Sequence, residues 1–211
     1  MSDAPDIMAS APEKPRCFWA GNEPIYQHYH DAEWGRLVTS DTRLFEKLCL
    51  EGFQSGLSWL TVLKKRARFL EVFYGFDIAR VAAMSDDDIE RLLGDAGIIR
   101  HRGKIASTIN NAQKTLLIQN EFGSLAAYVW RFEPHPSERP DRLTHETLKT
   151  MAETDASRAF SKDLRKRGFS FVGPTTCYAF MQAMGLVNDH MEECWCRPEV
   201  EAERARLKRP A

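Results

Sequence analysis

The chain has 211 residues, 43% of them apolar and 28% charged, with 12 Gly and 10 Pro. That is enough apolar material for one domain with a sizeable core, and it excludes a low-complexity or wholly disordered chain. A formal net charge of −1 excludes a globally basic nucleic-acid binder, and no stretch approaches the ~20 apolar residues of a membrane span.

Residues 1–15 are rich in Ala and Pro and lack apolar periodicity, so they read as a disordered leader. With no basic n-region and no apolar run, they do not read as a secretion signal. Asp41 is expected to cap a helix with Leu44, Phe45, Leu48 and Cys49 on one face. Trp59, Leu60, Leu63, Leu70 and Phe73 predict a second helix. Ser85 and Asp88 have capping-box spacing before Ile89, Leu92 and Leu93. Ile105, Ile109, Ala112 and Leu116 predict a helix over 101–120. Three prolines make 133–142 a loop. A polar, basic helix is predicted from about Asp155 to Arg167, and another over 175–184, stopped by Gly185. Residues 199–211 are mostly charged and are expected to be a frayed tail. No run alternates with period two, so the expected class is all-α.

Charge is unevenly spread. Lys64, Lys65, Arg66 and Arg68 form one basic cluster, Arg100, Arg102 and Lys104 a second, and Lys162, Arg165, Lys166 and Arg167 a third. A nearly neutral protein can still present one basic face to phosphates, although such clusters are equally read as solvated helix faces.

The five cysteines, without a signal sequence, point to a reducing cytoplasm, where thiols are free or bind metal. Cys17 and His30 lie near the start of the folded region, His190 and Cys194 near its end. Two thiolates and two imidazoles are the ligand set of a closed tetrahedral zinc site. Spacing alone is a weak signal, since His28, His101, His135 and Cys196 are also available. A metal joining residues about 160 apart would remove much unfolded-chain entropy.

Two further features carry chemistry. The basic stretch Lys162–Arg167 runs into Gly168-Phe169-Ser170-Phe171-Val172-Gly173-Pro174-Thr175, a glycine-framed turn followed by a new helix. Its exposed N–H groups could hold a phosphate without reading sequence, or it could be an ordinary helix–helix corner. Between Trp19 and Trp59 lie Tyr26, Tyr29, Trp34 and Glu51. Glu51 directly follows an apolar helical run, so its carboxylate would be buried and need a partner. Aromatic faces around one carboxylate suit a flat, cationic, hydrogen-bond-donating ligand such as an alkylated purine.

Four blocks together resemble the 3-methyladenine DNA glycosylase I family, the bacterial Tag type. They are Tyr29-His30-Asp31-Ala32-Glu33-Trp34-Gly35, Cys49 to Trp59 continuing through Thr61 to Arg66, Asp95 to Ile105, and Lys166 to Phe169 with Gly185 to His190. The resemblance implies a helix-hairpin-helix glycosylase fold in one domain, 16–198, as two helical lobes around a cleft. It implies one structural zinc held by Cys17, His30, His190 and Cys194, joining the N- and C-terminal segments. It implies that Glu51 is the catalytic or recognition carboxylate and that Tyr29 and Trp59 bind the base, with Trp19, Tyr26 and Trp34 lining or supporting them. Gly56 and Leu57 would wedge the duplex, and Gly168, Gly173 and Thr175 would hold the DNA backbone. The implied activity is hydrolytic removal of N3-methylated adenine from double-stranded alkylated DNA, releasing 3-methyladenine, by a cytoplasmic monomer. Asn188 stands where the wider superfamily often places a catalytic Asp. No Lys falls in the pocket sequence, which argues against Schiff-base chemistry. The competing reading is a zinc-stabilised DNA-binding module without catalysis, which has no need of an aromatic–carboxylate pocket.

Overall fold

The computed structural model describes residues 14–210. The expected leader therefore lies almost wholly outside the described residues. Eleven α-helices follow in order among them: α1 (Pro24–Ala32), α2 (Asp41–Gln54), α3 (Trp59–Val72), α4 (Ile78–Ala82), α5 (Asp86–Leu93), α6 (Arg102–Phe122), α7 (Leu125–Trp130), α8 (His145–Thr150), α9 (Asp155–Lys166), α10 (Pro174–Ala183) and α11 (Cys196–Arg206). No strand occurs among the described residues, as the missing period-two pattern predicts. Among the described residues no helix is long and apolar enough to cross a membrane.

Helix α2 is the organising element. It packs against α10, α3, α6 and α7, so every residue from Leu44 to Phe53 is buried. Leu44, Leu48, Leu50 and Phe53 supply the apolar contact. A helix enclosed on all sides must also bury its polar residues, here Glu46, Lys47 and Glu51. Each then needs a partner to offset the loss of water.

The predicted Ser85–Asp88 capping box opens α5. At α3, Ser58, which the sequence reading did not single out, caps through the Thr61 amide. The expectation for Asp41 is wrong in its target. Asp41 sits in the first turn of α2, but its carboxylate accepts from the amides of Leu125 and Ala126 at 2.8 and 2.9 Å. It therefore caps α7, a helix made close by tertiary packing alone.

The tail expectation also fails. Residues 199–206 belong to α11, which buries Val200. Arg36 bridges Glu199 and Glu203, both at 2.7 Å. Arg204 and Arg209 both reach Glu133. Only Cys196 and Val200 are buried along this helix, too few to show apolar periodicity. The charges that suggested a frayed end are its attachment.

The end of α10 sets up the site. The Gly35 and Val38 amides donate to the carbonyls of Ala183 and Met184. Gly185 has φ +78°, and a Cβ there would lie 2.8 Å from the Arg36 carbonyl oxygen. Only glycine allows this approach, and it brings residues 186–190 against the segment that follows α1.

Candidate active site and metal cluster

The last turn of α1 carries Tyr29 and His30, about 100° apart around the helix axis, with Trp34 just beyond. His30 meets Cys17, His190 and Cys194. All four are buried, and their ligand atoms lie within 4.8 Å of one another. Cys194 Sγ is 3.4 Å from His30 Nε2 and 3.3 Å from His190 Nδ1, and Cys17 Sγ is 3.6 Å from His190 Nδ1. Nitrogen and sulfur donors on a tetrahedral zinc stand about 3.6 Å apart, so the donor set fits such an ion.

The remaining ring nitrogens are committed elsewhere. His30 Nδ1 is 2.8 Å from Asp31 Oδ1, and Arg16 donates to the same carboxylate. His190 Nε2 is 3.1 Å from the Trp34 carbonyl oxygen. Such outer partners fix tautomer and ring orientation in metal sites. Hydrogen bonds from the Cys17 and Cys196 thiols pull the Cys194 thiol below its ordinary value, toward the thiolate that binds metal. Gly35 has φ +80°, and a Cβ there would lie 2.9 Å from His190 Nε2. The cluster is thus closed by its own surroundings.

Tyr29 faces the other way, into a cavity of about 260 Å³. All six aromatic and acidic residues singled out in the sequence line it: Trp19, Tyr26, Tyr29, Trp34, Glu51 and Trp59. Trp19 makes an edge contact with Trp34 at 4.9 Å, and Tyr29 lies 5.2 Å from Trp59. The Trp59 indole Nε1 is buried and has no hydrogen-bond partner. Burial, and then the Glu51 carboxylate, push the Tyr29 phenol well above its ordinary value, so it keeps its proton.

No lysine lines this cavity among the described residues, but the sequence reading missed a lysine directly behind its wall. Lys47 lies one turn before Glu51, and its Nζ is 2.8 Å from Glu51 Oε1. The same ammonium donates to Tyr29 Oη at 2.5 Å and sits 3.3 Å from the centre of the Trp59 ring. Burial pushes Lys47 down to about 8, against the opposing pull of Glu51. The i, i+4 spacing of Lys47 and Glu51 was a readable signal. Sequence reasoning also missed Gln54, Gln182 and Asp189 on the cavity wall.

Asn188 turns away from this cavity, and its amide donates to the Arg197 carbonyl and to Glu201. Asp189 is fully buried and held by Arg139, Tyr178 and Gln182. Its carboxylate is therefore occupied by structure. A larger cavity, about 720 Å³, lies where 186–188 faces the 133–140 loop and α11. It has no tryptophan or tyrosine in its wall, and three of its arginines, Arg139, Arg204 and Arg209, already hold Asp189 or Glu133.

Gly56 has φ +79° and Leu57 is 41% exposed, in the loop between α2 and α3. Lys104 fixes the start of that loop by donating to the carbonyls of Phe53 and Ser55. Gly168 and Thr175 are exposed at the turn from α9 to α10, and Gly173 precedes the first turn of α10. The three basic clusters differ. Arg66, Arg68 and Arg102 are paired with carboxylates, and Lys104 is used internally. Lys162, Arg165 and Lys166 are exposed, and none of them forms an ion pair among the described residues.

The family model described as methyladenine glycosylase matches residues 19–197. The chain is 50% identical over 183 residues to DNA-3-methyladenine glycosylase 1 of Escherichia coli, covering 87% of this chain and 97% of that one. It is 44% identical over 185 residues to DNA-3-methyladenine glycosylase of Haemophilus influenzae, covering 86% and 97%. A solved structure of 3-methyladenine DNA glycosylase I from Staphylococcus aureus, on the structural basis of 3-methyladenine recognition, superposes with a TM-score of 0.80. It is 35% identical to this chain, with 87% and 96% of the two chains covered. By these matches over most of its length, the chain belongs to the methyladenine glycosylase family.

Proposed function

We propose that this protein is a monofunctional DNA-3-methyladenine glycosylase of base-excision repair, acting on double-stranded alkylated DNA. The observation that carries the reading is the cavity in which the Glu51 carboxylate sits among Tyr29, Trp59 and Trp19. A DNA-binding module without catalysis has no use for such a pocket. The relatives' names support the same substrate.

The target nucleotide leaves the stack at a cost of a few kcal/mol, least for a damaged base. Trp59 stacks on the extruded ring. Glu51 accepts hydrogen bonds from the purine edge, and Tyr29 shares in selecting the lesion. N3-methylated adenine carries positive charge in DNA and leaves as a neutral base, so little general-acid assistance is needed. The product is 3-methyladenine. Lys47 lies behind the wall formed by Tyr29, Glu51 and Trp59, removed from a sugar at the mouth, which supports hydrolysis without a Schiff base.

In this reading the α9–α10 corner is a helix-hairpin-helix whose Gly168, Gly173 and Thr175 hold the DNA backbone, with Lys162, Arg165 and Lys166 beside them. Gly56 and Leu57 fill the gap left by the extruded base. Residues 16–198 act as one domain of two helical lobes around the cleft, with α11 fastened to it, in a cytoplasmic monomer. Cys17, His30, His190 and Cys194 hold one zinc ion, which supplies cross-linking of the two chain ends and no chemistry at the base.

The test is release of 3-methyladenine from alkylated duplex DNA. The intact protein should release it, and Glu51→Gln should slow release about 100-fold. Full release by Glu51→Gln would remove Glu51 from its role. Negligible release by folded, metal-loaded protein would overturn the enzyme reading.

A further inference from the structure

Lys47 is the charged group nearest the pocket that the proposed reaction leaves without a task. It is 5% exposed and lines a small cleft behind the cavity with Glu33, Glu46 and Arg66. Arg66 is spoken for by Glu33 and Glu46, both at 2.7 Å. Lys47 makes its closest ionic contact with Glu51. An apolar side chain of similar length would fill the space without the cost of burying a charge, so packing alone does not account for an ammonium here.

We propose that Lys47 is a positioning residue that sets the hydrogen-bond polarity of the pocket, and with it the preference for an adenine edge over a guanine edge. This rests on the reading that the cavity receives a methylated purine. An ammonium has three donors and no acceptor. Because Lys47 donates to Tyr29 Oη, the phenol's own proton is turned away from it and toward the cavity. Because Lys47 also donates to Glu51 Oε1, the carboxylate is held in one orientation and accepts at its second oxygen. The wall then offers one acceptor beside one donor. Adenine presents the matching pair on one edge, its N6 amine as donor and N7 as acceptor. Guanine presents O6 and N7 there, two acceptors, and sets O6 against the carboxylate.

The experiment compares free 3-methyladenine with free 3-methylguanine, which share the methyl group and differ at this edge. Binding is read from quenching of tryptophan fluorescence, with melting temperature as the check on folding. Lys47→Met should weaken 3-methyladenine about 10-fold and leave 3-methylguanine unchanged or tighter, so the preference collapses. Tyr29→Phe should then cost less in the Lys47→Met background than in the wild type. A folded Lys47→Met variant with an unchanged ratio of the two affinities overturns the proposal. Should that variant not fold, Lys47→Met is added to Glu51→Gln/Tyr29→Phe, which removes both partners. There it should change 3-methyladenine affinity less than about two-fold, and a larger further loss overturns the proposal. Wild-type protein that binds neither base overturns the reading of the cavity, and the proposal with it.

Discussion

Tyr29 and His30 are neighbours on α1, yet they serve two sites with opposite characters. Around His30, every donor is used. The second nitrogen of each imidazole is taken by Asp31 or by the Trp34 carbonyl, and all four candidate ligand residues are buried. Around Tyr29, capacity is left over. Trp59 Nε1 has no partner, and Glu51 lines an open cavity of about 260 Å³. A site with no spare coordination can only hold itself together, whereas one with spare hydrogen bonds can hold something else. Because α1 carries both, ordering the first site should also hold Tyr29 of the second in place.

The largest effect should come from breaking the closed site. His190→Ala removes one of the four candidate metal ligands and the T-shaped contact with Trp34 at 4.8 Å. We expect the melting temperature to fall by about 10 °C or more and bound metal to be lost. A normal melt with full metal content would erase the contrast between the sites. Trp59→Ala should do the reverse. It should weaken 3-methyladenine binding about 10-fold, the usual worth of one stacking face, with metal content unchanged as measured by elemental analysis. Metal loss in that variant would mean that the two sites are not separable.

The smallest effect is one of pH. Lys47 has a folded value of about 8 against an ordinary 10.5. The groups around it are Glu51, Glu46 and Arg43 on α2, Tyr29 on α1, Glu33 just beyond α1, and Arg66 on α3. Tyr29 is raised and stays protonated through this range. Below pH 8 the ammonium donates to both pocket groups. Above it the neutral amine loses its charge and gains a lone pair that can accept the Tyr29 proton, and 3-methyladenine affinity should decline toward that of Lys47→Met, by less than about ten-fold in all. Between 8 and 10.5 the unfolded chain holds the extra proton, so this group's contribution to stability rises with pH while binding falls. Fluorescence titrations between pH 7 and 9.5 check this, and a profile as flat as that of Lys47→Met would contradict it.

Local chemistry explains what could be read in advance. The α5 capping box, the α9 span and the long α6 follow from residues close in sequence. Four metal-ligand candidates were visible as residue types, but several other His and Cys were equally so. Only the family blocks separated Cys17, His30, His190 and Cys194 from them. Helix α1 has no apolar stripe to announce it, because its inward residues are Tyr29 and His30. Asp41 was read as a cap for its own helix because nothing nearby reveals α7, whose amides it holds across 84 and 85 positions. Lys47 was missed because its burial depends on how fully other helices enclose α2. The pocket aromatics were legible, since few other segments concentrate so many large rings.

One measurement bears on the division between the two sites most directly. Metal is stripped with a chelator, and the melting curve and the release of 3-methyladenine from alkylated DNA are recorded on the same sample. A metal that only cross-links the two chain ends predicts that the melting temperature drops and that activity falls only as folded protein is lost or Tyr29 loosens. Activity abolished at an unchanged melting temperature would place the metal in the chemistry and contradict it.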